Sequence, residues 1–282
     1  MTRALVALAA LLAVAALAAA GLWLWRRRHL RLPRLRRRRA RLPRPVVLVH
    51  GLFGFDEIAL GRSRHAYFKG VAPALEQEGR RVFHARLPPA GSIEARARAL
   101  AACVHDLEVG PVILLAHSMG GLDARCAIAR LVLAGRVAAL VTVGTPHRGT
   151  PVADLTSDLA GRLGIARALA VAGLDLAALR DLTSASLECF NEEVPDARSV
   201  AYACVVGTVK DRRRSNPLLL PTQRWLAGQG GPNDGVVPAS SQRWGEVLAE
   251  VDADHWAQIG WSRHFDAASF YAELLRELER GL

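Results

Sequence analysis

The stretch that decides the fold is Val112-Ile-Leu-Leu-Ala-His-Ser-Met-Gly-Gly121, an apolar run that breaks at Ser118. It predicts a buried strand that ends in a tight turn, with a helix beginning just beyond. Small residues lie two positions either side of the serine, at Ala116 and Gly120. This pattern is typical of a strained strand-to-helix turn that presents a serine nucleophile. Because small residues are common in this chain, a nucleophile also requires an oxyanion donor, an acid and a histidine in the right order.

The chain has 282 residues, enough for one large α/β domain with an appendage. Its formal charge of +11 is confined to one segment: residues 1–45 hold twelve of the 37 basic residues and no acid, so the remainder carries 25 bases against 26 acids. A nucleic-acid-binding protein spreads basic residues over a folded face. We therefore exclude nucleic acid as a partner.

The N-terminal residues 1–25 predict a transmembrane anchor. Ala4 to Trp25 is an uncharged run of 22 residues, long enough to cross the hydrocarbon core as a helix. Trp23 and Trp25 stand at its end, where interfacial aromatic residues are expected. A cleavable signal peptide ending at Ala18-Ala19-Ala20 is the alternative.

Residues 26–44 form an Arg-rich linker that decides the predicted orientation. Dense positive charge stays on the cytoplasmic side of a membrane, and it is attracted to anionic headgroups by roughly 1 kcal/mol per charge. We therefore expect an uncleaved single-pass anchor in the inner membrane, with the catalytic domain in the cytoplasm. A secreted or periplasmic protein is the alternative.

Residues 45–282 alternate predicted strands with predicted helices. The strands are predicted at Pro45–His50, Arg81–Leu87, Val112–Ala116, Val137–Val143, Ser199–Val206 and Glu246–Val251. Ser92 is the predicted N-cap of a helix, and a second helix runs from Met119 towards Leu133. This alternation favours an α/β fold with a mostly parallel central sheet flanked by helices. Residues 150–198 break the alternation and predict a helical cap or lid insertion.

The four cysteines, Cys103, Cys126, Cys189 and Cys204, show neither the CxxC pairs nor the histidine spacing of a zinc site. Cys103 and Cys126 fall on predicted helices, where they are expected as small core residues. A disulfide between Cys189 and Cys204 is an open alternative, although free thiols are favoured.

A serine nucleophile needs a base that removes its proton during attack. In this architecture the chain order is serine, acid, histidine. Among the nine histidines, only His255 and His264 follow late enough. His264 falls in a predicted C-terminal helix, where a surface role suffices. His255 follows the last predicted strand and is the predicted base.

Two aspartates are candidates for the acid. Asp211 follows a strand but lies in Lys210-Asp-Arg-Arg-Arg, which is typical of a solvated charge cluster. Asp234 lies in an Asn-Asp-Gly turn that would hold a carboxylate rigidly, although such a sequence is also an ordinary turn. Asp234 is favoured over Asp211, while Asp252 and Asp254 are expected to be turn residues.

An oxyanion requires two backbone N–H donors that are already in place. Met119, directly after the nucleophile, supplies one. The other is expected from Leu52, in the glycine-containing loop after the first strand. His50 precedes the nucleophile, so we expect it to be a structural hydrogen-bonding residue.

Four segments in order resemble the true bacterial lipases of the Pseudomonas and Burkholderia type, over roughly residues 45–260. They are Val49–Asp56, Ala116–Gly121, Gly144–Gly149 and Asn233–Val237. The resemblance implies an α/β-hydrolase fold and a serine carboxylester hydrolase that cleaves lipid esters through an acyl-enzyme. It also implies that Asp234 is the acid and Leu52 the second oxyanion donor.

Departures from that family qualify the resemblance. Those lipases hold calcium, with one aspartate ligand two residues after the catalytic histidine; Ala257 stands at this position here. We therefore expect calcium to be absent or weakly bound, and no other cofactor or metal. The family's disulfide cysteine after the Asn-Asp-Gly turn is also missing, with Ser240 and Ser241 nearby. Phospholipase, thioesterase and acyltransferase chemistry, and a non-catalytic membrane-associated scaffold, remain alternatives.

Overall fold

The computed structural model describes residues 43–52, 54, 57–60, 63–162 and 177–282. The predicted anchor, nearly all of the Arg-rich linker and part of the predicted cap lie outside these residues, so those interpretations stay predictions. None of the helices in the described part of the chain combines the length and the apolar character that crossing a membrane requires.

A parallel sheet of six strands forms the centre of the domain, in the order β4-β1-β5-β6-β7-β8. Its strands are β1 (Val46–Val49), β4 (Val82–His84), β5 (Val112–His117), β6 (Val137–Val143), β7 (Ala201–Thr208) and β8 (Glu246–Asp252). The predicted parallel α/β fold is confirmed. A separate antiparallel pair, β2 (Glu57–Leu60) and β3 (Ser63–Ala66), was not predicted.

Helices cover the sheet. They are α1 (Val71–Gln77), α2 (Ile93–His105), α3 (Gly120–Arg130), α4 (Pro151–Arg162), α5 (Ala177–Asp181), α6 (Ser184–Glu193), α7 (Leu220–Gly230), α8 (Ala239–Gln242) and α9 (Ala267–Gly281). Most of the described part of the predicted cap is helical, in α4, α5 and α6, whereas residues 194–198 are not helical. Ser92 caps α2 as predicted, because its side chain accepts from Ala95 N.

The prediction for His264 is wrong, since this residue lies in a bend before α9. The helix begins later because the side chain of Asp266 accepts from Ser269 N and caps its first turn. A polar cap of this kind sets where a helix begins.

Strand β5 fixes the serine because both of its faces are covered. Leu114 packs in the apolar cluster that includes Leu100 and Leu122, whereas Leu115 packs in the opposite cluster with Tyr271. This alternation is the two-residue period of a strand. Burying each leucine contributes about 1.5–3 kcal/mol, so the end of β5 is held firmly.

All four cysteines are free thiols, as favoured from the sequence. Cys103 and Cys126 lie on α2 and α3, as predicted. Cys189 is exposed on α6, and Cys204 is buried in β7.

Candidate active site

Ser118 lies in the turn between β5 and α3 with φ of 55°, in the left-handed region that residues other than glycine rarely adopt. Ser118 N donates to Val143 O over 2.8 Å, and Thr145 Oγ1 donates to Ser118 O over 2.8 Å. Such a conformation costs of the order of 1–3 kcal/mol and persists only where its surroundings hold it. These two hydrogen bonds provide that support.

The small residues around Ser118 are required by close approach of other segments. A Cβ at Gly120 would lie 2.7 Å from His50 O, and one at Gly121 would overlap Thr145 Oγ1. A Cβ at Gly51 would lie 2.8 Å from the Cβ of Ser118. The loop after β1 is therefore packed directly against the serine turn.

The structure brings Ser118, His255 and Asp234 together in one chain of hydrogen bonds. Ser118 Oγ lies 3.0 Å from His255 Nε2, and His255 Nδ1 lies 2.8 Å from Asp234 Oδ2. The Asp234 carboxylate can only accept, so His255 Nδ1 donates to it. All three residues are buried, Asp234 completely. The arrangement leaves His255 Nε2 able to accept a proton from the serine.

The Asn-Asp-Gly turn holds the carboxylate of Asp234 in place. Its Oδ1 accepts from Val236 N at 2.9 Å and Val237 N at 2.7 Å, and its Oδ2 accepts from Gln258 Nε2 at 3.0 Å as well as from the histidine. Sequence reasoning missed Gln258; the only signal was its place three residues after His255. The donors on both oxygens fix the direction of the carboxylate.

The other aspartates that the sequence offered lie apart from the histidine ring. Asp211 is exposed, caps the short helix Arg212–Arg214 and forms an ion pair with Arg214. Asp252 accepts from Lys210 N, and Asp254 accepts from the backbone amides of Trp256 and Ala257. Asp254 is a turn residue, as expected. The prediction for Asp252 is wrong, because Asp252 is the last residue of β8 and pairs with Thr208 of β7.

The peptide between Gly51 and Leu52 is held by its oxygen. Gly51 O accepts from His50 Nδ1 at 2.9 Å, Gly54 N at 3.1 Å and Arg96 Nη2 at 3.2 Å. In a planar trans peptide the C=O and N–H groups point in opposite directions. Fixing Gly51 O therefore fixes the direction of the Leu52 N–H. Neither Leu52 N nor Met119 N donates a hydrogen bond to another described residue.

Arg96, which sequence reasoning missed, is the buried support of this loop. It is fully buried on α2, pairs with Asp123 Oδ2 at 2.8 Å, and donates to His50 O at 2.7 Å and Pro88 O at 2.6 Å. Burial raises the pKa of Asp123 to about 7, against the attraction of Arg96, which lowers it. An arginine between helical alanines gave no signal that it points inward.

His117 and Tyr67 link the loop after β1 to the backbone of the histidine. Gly51 N donates to Tyr67 Oη at 3.1 Å, Tyr67 Oη lies 2.8 Å from His117 Nδ1, and His117 Nε2 lies 3.0 Å from His255 O. A carbonyl only accepts, so His117 Nε2 donates to it and Nδ1 accepts from the tyrosine. Burial, reinforced by nearby His255, lowers the pKa of His117 well below its usual range. His117 is therefore neutral.

The residues present do not fit the calcium ion of the lipases that the sequence resembles. Ala257 is buried and offers a methyl group where those lipases have a carboxylate, and Asp254 Oδ1 is already bonded to two backbone amides. No group of three or more metal-ligating side chains is found in the described part of the chain. Weak or absent calcium binding stays a prediction.

Comparisons with known proteins agree with this fold. The family described as alpha/beta hydrolase fold matches residues 44–164. A triacylglycerol lipase of Pseudomonas fragi is 30% identical, over 84% of this chain and 97% of that protein. Triacylglycerol lipase 2 of Saccharomyces cerevisiae is 32% identical, over 84% of this chain and 91% of that protein.

Solved structures show the same fold. The metagenomic carboxyl esterase MGS0156 has a TM-score of 0.73 at 23% identity, covering 86% of this chain and 77% of its own. The lipase BlEst2 of Bacillus licheniformis, in mature form, has a TM-score of 0.68 at 22% identity, covering 84% and 92%. At these identities the likeness concerns the fold alone.

Proposed function

This chain belongs to the lipases of the α/β-hydrolase superfamily and is a carboxylic ester hydrolase, and from that premise we propose that it cleaves acyl esters of lipids through a Ser118–His255–Asp234 triad. The observation that carries the proposal is the unbroken line of hydrogen bonds from Ser118 Oγ through the His255 ring to Asp234. It begins at a serine with φ of 55°. That combination of a strained turn, a base and an orienting acid matches what an activated serine needs.

The reaction has two halves. Ser118 Oγ attacks the acyl carbonyl while its proton passes to His255 Nε2, and the alcohol then leaves with that proton. Water attacks the resulting acyl-enzyme by the same route and releases the fatty acid. Asp234 keeps the histidine in the correct tautomer and stabilises the imidazolium that forms in each half.

Two backbone amides stabilise the negative charge that develops on the carbonyl oxygen. Met119 N stands at the start of α3, and Leu52 N is aimed by the anchored oxygen of Gly51. In enzymes of this kind, one such donor contributes roughly 3–4 kcal/mol to the transition state. No metal is required for any step of this proposal.

The lipid substrate rests on the relatives, which are named triacylglycerol lipases. It also rests on the uncharged run of residues 4–25 and the arginines that follow. We propose that this segment anchors the enzyme in the inner membrane, with the catalytic domain facing the cytoplasm. A reporter fused to the C-terminus, active in only one compartment, tests the orientation; a periplasmic signal would reverse it.

Replacement of the serine tests the proposed chemistry. Ser118→Ala should lower the hydrolysis of p-nitrophenyl butyrate at least about 10³-fold, because the nucleophile is gone. The exposed Ser240→Ala is the matched control and should keep wild-type activity. Ser118→Ala with wild-type turnover would show that the triad is not the catalyst. If the wild-type protein hydrolysed no ester at all, the alternative of a non-catalytic scaffold protein would be favoured instead.

A further inference from the structure

Two largely exposed segments flank the proposed catalytic residues at the carboxyl edge of the sheet. The segment Val209–Leu219 follows β7, and Trp261–Asp266 follows the turn that carries His255. The first loop is tied to the histidine turn, since Asn216 N donates to Asp254 Oδ2 at 2.6 Å. We call these two segments together the basic edge.

The charge of the folded domain is unevenly distributed. The basic edge contains five Lys or Arg residues and two acids, whereas the rest of residues 46–282 contains 20 bases and 24 acids. The five bases are all exposed: Lys210, Arg212, Arg213, Arg214 and Arg263. Arg214 pairs with the nearby acids, but Lys210, Arg212 and Arg213 form no ion pair with any other described residue. A domain with almost balanced charge therefore presents a positive field at the edge that holds its active site.

Exposed apolar side chains lie in the same two segments. Leu218 is 75% exposed, four residues after Arg214, and Trp261 is 39% exposed beside Arg263. The amine of Lys69 lies 6.0 Å from the Trp261 ring. Cations combined with exposed leucine and tryptophan are characteristic of surfaces that settle at the boundary between headgroups and acyl chains.

We propose that the basic edge docks on an anionic lipid surface. The arginines and Lys210 face the headgroup phosphates, while Leu218 and Trp261 enter the boundary below them. Each cation near such a surface is attracted to the anionic headgroups, and the attraction fades within a Debye length of about 8 Å. Because the attraction is so short-ranged, a concentrated patch orients the molecule. Docked in this way, the enzyme turns the edge that holds Ser118 towards its lipid ester.

This inference rests on the proposed lipid substrate, so the experiment separates binding from catalysis. Binding of the full-length protein is measured on vesicles of ether-linked phosphatidylcholine, with and without ether-linked phosphatidylglycerol, which carry no ester to cleave. The salt concentration is set where half of the wild-type protein is bound. All variants keep the N-terminal arginine tract, so its contribution is the same throughout.

Two arginine pairs are compared. Arg212→Gln with Arg213→Gln should weaken binding to the anionic vesicles on the order of tenfold, because two cations near the surface are lost. The control is Arg81→Gln with Arg280→Gln. Both controls lie at the opposite edge, since Arg81 precedes β4 and Arg280 follows Glu279, which bonds to Arg44 N before β1. The control pair should change the affinity less than about twofold.

The apolar part is tested in the same assay. Leu218→Ser should weaken vesicle binding several-fold, whereas Val132→Ser, which alters an 84% exposed residue after α3, should leave it unchanged. All these variants should hydrolyse a water-soluble ester at the wild-type rate. Equal losses in the two arginine pairs would overturn the docking proposal. Loss of soluble-ester hydrolysis in the wild-type protein would overturn the proposed function instead.

Discussion

The buried interior of the site and the exposed rim around it use the same residue types in opposite ways. In the interior, Asp234 accepts hydrogen bonds on both oxygens, and Arg96 donates hydrogen bonds to an aspartate and to backbone carbonyls. On the exposed surface, Asp211 caps a three-residue helix, and Arg98 pairs with Glu94 on α2. An ion pair in water contributes about 0–1 kcal/mol, whereas breaking a buried one costs about 3–5 kcal/mol. The interior therefore determines the chemistry, and the rim determines what approaches it.

The largest difference between interior and rim is expected at the aspartates. Asp234→Asn should lower kcat on a soluble ester by about 10³–10⁴-fold, because the amide no longer holds the histidine in its productive tautomer. Asp211→Asn should leave kcat unchanged, since the residue lies in the exposed loop. Steady-state kinetics of both variants makes the comparison. A larger loss in Asp211→Asn would mean that the wrong aspartate has been assigned.

Arginines provide the next comparison. Arg96→Lys removes the fork that reaches His50 O and Gly51 O, so the Leu52 amide loses part of its support. We expect a loss in kcat of about tenfold to 10²-fold, below the full cost of an oxyanion donor. Urea denaturation should also show a lower free energy of unfolding for this variant.

The matched exposed variant is Arg98→Lys, two residues along the same helix. It should change neither kcat nor the unfolding midpoint. If Arg96→Lys lowered stability but left kcat intact, Arg96 would support the fold without aiming the amide.

A third comparison concerns histidines and pH. Burial, reinforced by the charges of Arg125 and Arg148, lowers the pKa of His147 well below its usual range. In the unfolded chain His147 binds a proton near pH 6.5, whereas in the folded chain it stays neutral at this pH. The contribution of His147 to the free energy of unfolding is therefore present above pH 6.5 and is lost as the pH falls below it. The slope is about 1.4 kcal/mol per pH unit for one proton.

Replacing His147 should therefore make the free energy of unfolding depend less steeply on pH below pH 6.5. His147→Gln is expected to remove one proton's slope below pH 6.5 in urea denaturation at a series of pH values. His264→Gln, at an exposed histidine, should leave the slope as in the wild type. Identical slopes in all three proteins would contradict the buried, neutral state of His147.

The smallest comparison concerns tyrosine hydroxyls. Tyr67→Phe breaks the link between Gly51 N and His117, so kcat should fall about twofold to tenfold, as expected for one hydrogen bond. Tyr202→Phe, whose hydroxyl accepts from Ala197 N away from the site, should keep the wild-type kcat. An equal effect in both variants would show that the hydrogen bonds of Tyr67 to Gly51 N and His117 do not support catalysis.

The sequence predicted the residues that stand at strand ends, and it did so for a topological reason. The carboxyl ends of parallel strands meet at one edge of the sheet. Local patterns near Ser118 and His255, with their order in the chain, were therefore sufficient to predict that these two side chains lie together. The turn sequence alone leaves both Asp211 and Asp234 as candidates for the acid, and the choice of Asp234 depends on the resemblance to lipases.

The supporting residues could not be predicted, because their roles depend on contacts between segments far apart in the chain. In the sequence, Arg96 is typical of a surface cation and Tyr67 of an ordinary core aromatic residue. Their hydrogen bonds to the loop after β1 exist only in the folded structure. The paired strands Glu57–Leu60 and Ser63–Ala66 lack the regular alternation that marks a strand. His264 was misplaced because the cap at Asp266 delays the start of the helix.

Covalent labelling tests whether Ser118 is the activated nucleophile. A fluorophosphonate probe reacts with serines that an adjacent base activates. Intact-mass and peptide analysis should show one adduct, on the peptide that contains Ser118, and His255→Ala should abolish it. An unlabelled Ser118 in a protein that still hydrolyses esters, or an adduct at another serine, would show that Ser118 is not the nucleophile.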